Sequence, residues 1–70
     1  MSTALEEEIK EIKQAIARAE LKLENEQDPA MRLEIQRSIN TDKNTLGTLQ
    51  QRLLQLERQR EIVAPQPGNK

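Results

Sequence analysis

The side chains in this chain that could do chemistry are carboxylates, amines, guanidiniums, amides and hydroxyls. There is no His to shuttle protons, no Cys to act as nucleophile or metal thiolate, and no aromatic ring. The densest acidic run is Glu6-Glu7-Glu8. Behind Thr3 it reads as the first turn of a helix, where negative charge complements the positive end of the helix dipole. A carboxylate di-metal centre in a helical bundle uses Glu-x-x-His pairs, which a chain without His cannot supply. Ser2, Ser38 and the threonines have no base at a recognisable spacing, and no aromatics are present to wall a pocket. The expectation is a non-enzymatic protein with no cofactor and no metal.

The elements that carry these residues follow from composition. One third of the residues are charged, net charge is −1, and the apolar content is almost entirely Leu, Ile and Ala. Ordered apolar spacing in such a composition marks long helices or a coiled coil rather than a disordered chain. With 70 residues there is room for one small domain. No apolar run is long enough to span a bilayer and no signal-peptide core opens the chain, so an intracellular, cytoplasmic protein is expected.

Thr3 and Glu6 stand at capping-box spacing. From there Leu5, Ile9, Ile12, Ile16, Ala19 and Leu23 recur at steps of four and three, a heptad seam. A first helix is predicted over residues 3–26 and a turn over 26–29. Asp28-Pro29 suits a restart, since Asp caps free N–H groups and Pro fits the first helical position. A second helix is predicted over 29–63, with 1–63 forming an antiparallel helical hairpin and 64–70 a disordered polar tail.

The stretch "SINTDKNTLGT", Ser38 to Thr48, tests that reading because most of its residues are poor helix formers. Downstream apolar residues fall at Ile35, Ile39, Leu46, Leu49, Leu53, Leu56 and Val63, and the register stays in phase if Asp42 and Arg60 occupy seam positions. A turn would have no reason to preserve that phase, so one continuous helix is expected. The alternative is a compact three-helix bundle broken near 40–44, with Thr41 or Asp42 capping a third helix.

Folding back at residues 27–28 should pair positions whose numbers sum to about 55. On that register Leu53, Leu54, Leu56, Ile62 and Val63 overhang without a partner, while Ala15, Leu21, Met31, Leu33 and Leu54 widen the apolar stripe. Both features favour a homo-oligomer, a dimer making a four-helix bundle being the simplest. The interaction seam is expected to be Ile9, Ile12, Ile16, Ile39, Leu46, Leu49, Leu53 and Leu56, with Asp42 a candidate for fixing register. The function expected is oligomerisation or scaffolding. The alternative is a monomeric adaptor that binds another protein's helix on Leu49 to Leu56.

In length and hairpin layout the chain resembles the Rop type of plasmid-encoded RNA-binding hairpin, which implies a dimer that grips RNA. Its loose basic sets, Lys10, Lys13, Arg18 and Lys22 and then Arg52, Arg58 and Arg60, are interleaved with Glu. They lack aromatics for base stacking, so nucleic acid is not the expected partner. The antiparallel finger domains of Rho-effector kinases are similar in architecture alone. A membrane-surface role would want a basic face with bulky anchors, which are missing.

Overall fold

Two helices fold back on one another in the computed structural model, which describes residues 3–63 and side chains as far as Arg60. Helix α1 spans Ala4–Asn25 and helix α2 spans Pro29–Val63. The tail expected over 64–70 lies outside the described residues, as do the side chains of Ile62 and Val63. At 1.5 Å per residue α1 is ~33 Å long and α2 ~52 Å, so α2 must outrun its partner.

The start of α1 is a complete capping box. Thr3 Oγ1 accepts from the Glu6 N–H at 3.1 Å, and Glu6 Oε1 accepts from the Thr3 N–H at 2.8 Å. Two otherwise orphaned donors are thereby satisfied reciprocally. At the other end Glu26 adopts extended backbone (φ −90°, ψ 129°), which stops the helix without a glycine. The Asp28 carboxylate then accepts from the Ala30 N–H at 3.2 Å, and its carbonyl accepts from the Arg32 N–H at 2.8 Å. Asp28 is thus the N-cap of α2, with Pro29 in the first helical position.

Helix α2 runs unbroken through Ser38 to Thr48, so the three-helix alternative does not form. Its polar side chains in this stretch stay mostly in solvent or bond locally. Gln36 Nε2 donates to Asn40 Oδ1 at 3.2 Å, and Thr48 Oγ1 donates to the Asn44 carbonyl at 3.2 Å. Ile39 supplies the reason to stay helical, because it is the most buried residue described, at 1% exposure. It packs with Ile16 and Ile35, and Ile12, Ala19, Leu23 and Leu46 close around them. Most helical stability comes from tertiary packing of such a face rather than from propensity.

Cross-helix contacts follow the back-folded order. Arg32 reaches the Leu23 carbonyl, Ile16 packs with Ile35 and Ile39, and Glu20 reaches Lys43 at 3.5 Å. At the open end Leu5 and Leu53 line one cleft, and Leu53 is half-buried, so it does not belong to the exposed overhang in which it was expected.

Candidate functional site

With no concave catalytic constellation to build on, the site must be read as a surface left open by the hairpin. Of the predicted seam, Ile9, Ile16, Ile39 and Leu49 are buried, and Ile12, Leu46 and Leu53 are half-buried. The fold consumes these residues internally. Leu56 is the exception: it lies past the level of Leu5 and remains 46% exposed. Leu54, two residues earlier on the same overhang, is 47% exposed.

Three more large apolar side chains stand in solvent near the turn: Leu21, Met31 and Leu33. Scattered single residues of this kind are ordinary on a surface, but four of these five line clefts: Leu21, Met31 and Leu33 near the turn and Leu56 at the open end. One cleft, near the turn, is lined by Ala19, Lys22, Met31, Glu34, Ile35 and Ser38. The other, at the open end, joins Leu5 and Glu6 of α1 to Leu53, Leu56 and Arg60 of α2. The cleft near the turn is open to solvent, and the one at the open end is the more enclosed of the two.

Asp42 occupies the seam as expected and is half-buried. Neighbouring charge does not neutralise it: the ion pair present among the described residues joins Lys43 to Glu20, with both side chains more than half exposed. Such a pair contributes little, about 0–1 kcal/mol. Among the described residues no polar side chain is buried and no buried side-chain oxygen or nitrogen lacks a hydrogen-bond partner.

One residue that shapes the turn escaped the sequence reading. The Arg32 guanidinium reaches back across the turn, donating from Nη1 to the Leu23 carbonyl at 2.7 Å and to the Glu26 carbonyl at 2.8 Å. The Leu23 carbonyl also accepts from the Glu26 N–H at 3.2 Å, so the guanidinium adds a second donor there and supplies one to the Glu26 carbonyl just past the helix end. The available signal was the absence of glycine after α1 combined with a long cationic donor at a seam position just inside α2. No helix among the described residues is long and apolar enough to cross a membrane. Comparison with protein-family models, with curated proteins and with solved structures gave no match.

Proposed function

We propose that this chain is a non-enzymatic self-association module, in which helical hairpins pair to form a four-helix bundle. The observation that carries the reading is the overhang: Leu54 and Leu56 are about half exposed on α2 where α1 no longer covers it. Support also comes from the thinness of the internal core, which among the described residues consists of five buried aliphatic side chains and, in a chain without aromatics, no ring. A domain of this size buries too little apolar surface to be comfortably stable alone, and oligomerisation is one of the usual remedies. Fully burying one Leu is worth ~1.5–3 kcal/mol, so covering the overhang supplies a real driving force.

Sedimentation equilibrium over a wide dilution range tests this, with interference optics because the chain lacks aromatic absorbance. The expected result is a mass near twice 8.1 kDa that falls on dilution, together with helicity. A mass of 8.1 kDa at every concentration would overturn it in favour of a monomeric adaptor. The adaptor reading is already weakened by Leu49, which is only 6% exposed and so offers no surface to a foreign helix.

A further inference from the structure

We propose that the second copy packs antiparallel on the outer face of α2, long helix against long helix, with a two-fold axis at Asn44. This rests on the self-association reading and specifies the surface it uses. Two exposed leucines mark the face. Leu33 near the turn is 53% exposed and Leu54 on the overhang is 47% exposed. They stand three heptads apart, so they share one stripe of α2, turned away from the buried Ile35, Ile39 and Leu49. Leu56 does not belong to that stripe. It lies about 200° round the helix from Leu54, in the cleft with Leu5 and Leu53, so one partner helix cannot cover both.

Between the two leucines the stripe continues at steps of four and three through Arg37, Asn40, Asn44, Gly47 and Gln51, all exposed. Reversed on itself, the stripe is self-complementary. Pairing positions whose numbers sum to 87 or 88 sets Leu33 against Leu54 of the second copy, and Leu54 against its Leu33. Arg37 meets Gln51, whose amide oxygen can accept from the guanidinium. Asn40 falls opposite Gly47, beside which its own chain leaves open space. Asn44 meets Asn44 at the axis, where two amides can donate and accept reciprocally.

Charge decides the direction. From Leu33 to Leu54 the stripe carries no carboxylate that could neutralise Arg37. A parallel pair would set Arg37 on Arg37 and, one heptad past Gln51, Arg58 on Arg58. Antiparallel packing sets Arg37 on Gln51 and Arg58 on Ala30, and it opposes the two helix dipoles. Lys43 stands at the edge of the stripe near the axis, where its charge is already met by Glu20 of its own chain at 3.5 Å. The amide pair at the centre fixes the register, as a single Asn does in a coiled-coil seam. The contact is isologous, and α2 alone contributes to it. The four helices of the dimer therefore lie with the long pair inside and each α1 outside.

The chain has no cysteine, so introduced thiols report on proximity directly. Arg37→Cys and Gln51→Cys chains, mixed and mildly oxidised, are expected to link to each other, because a disulfide needs Cα atoms about 4.4–6.8 Å apart. Neither should link to its own kind, since the two-fold axis sets like positions ~20 Å apart along the helix. Leu33→Ala and Leu54→Ala should each weaken the dimer about tenfold by sedimentation, because each change is felt twice across the axis. Both leucines are exposed in the single hairpin, so the internal core stays intact in either variant. Leu21→Ala removes the most exposed large apolar side chain described, on α1, and should leave the dimer unchanged. Three results overturn this geometry and leave self-association standing: either Cys chain linking to itself, no linkage in a mixture that sediments as a dimer, or equal weakening by Leu21→Ala. A chain that sediments as a monomer overturns both.

Discussion

The two ends of this hairpin are finished by opposite means. At the turn, polar groups satisfy exposed backbone: Asp28 caps α2, and Arg32 donates to the Leu23 and Glu26 carbonyls. At the open end α1 is capped by Thr3 and Glu6, but α2 continues past it with Leu54 and Leu56 half exposed. Hydrogen bonds hold the turn in one shape, whereas apolar surface leaves the open end unfinished. A backbone donor or acceptor needs a partner at fixed geometry, and a local side chain can provide it. Apolar area asks only to be covered, and a third element or another molecule serves equally well.

That contrast can be broken at three points. Ile39→Ala removes the most buried side chain described, in the half of the seam nearer the turn. It should destabilise by ~2–5 kcal/mol and lower the denaturant midpoint by circular dichroism. In so thin a core that loss should leave the chain substantially unfolded at low concentration. Arg32→Ala should cost less, ~1.5 kcal/mol, by stripping a charged donor from two carbonyls that water then re-solvates only in part. Its effect should be confined to the turn, read as faster amide exchange in the last turn of α1 and the first of α2. Gly47→Ala sharpens the comparison in the other direction. A methyl group there meets nothing within 4 Å and the glycine does not use a positive φ, so the change should stabilise α2 by about 1 kcal/mol. A rise in thermal midpoint with unchanged oligomer mass would confirm that Gly47 has no packing role.

Most of the fold was legible in the sequence because its signals are local and periodic. Thr3 and Glu6 stand at capping-box spacing, Asp28-Pro29 marks a restart, and the heptad phase survives Asn40 to Asn44; each feature has its counterpart in the structure. Propensity alone would have broken α2 at Asp42. Burial of Ile35, Ile39 and Leu46 on one face outweighs it. One feature was less legible. Nothing in a linear pattern says that the Arg32 side chain will bend back to the carbonyls at the end of the preceding helix. For the surface, the expected seam proved mostly internal, and the residues left open are its last member, Leu56, and its flanks.

The back-folded order of the two helices has a kinetic corollary. Cross-helix contacts lengthen steadily in sequence separation with distance from the turn, from Leu23 with Arg32 to Leu5 with Leu53. Closing the turn therefore meets the chain-entropy cost of loop formation once, over a short loop, and each later contact extends an existing zipper. Assembly of the hairpin should accordingly nucleate where Asp28 and Arg32 bond and finish at the overhang. The apolar end would then be the last part of each molecule to form and the first part to meet another.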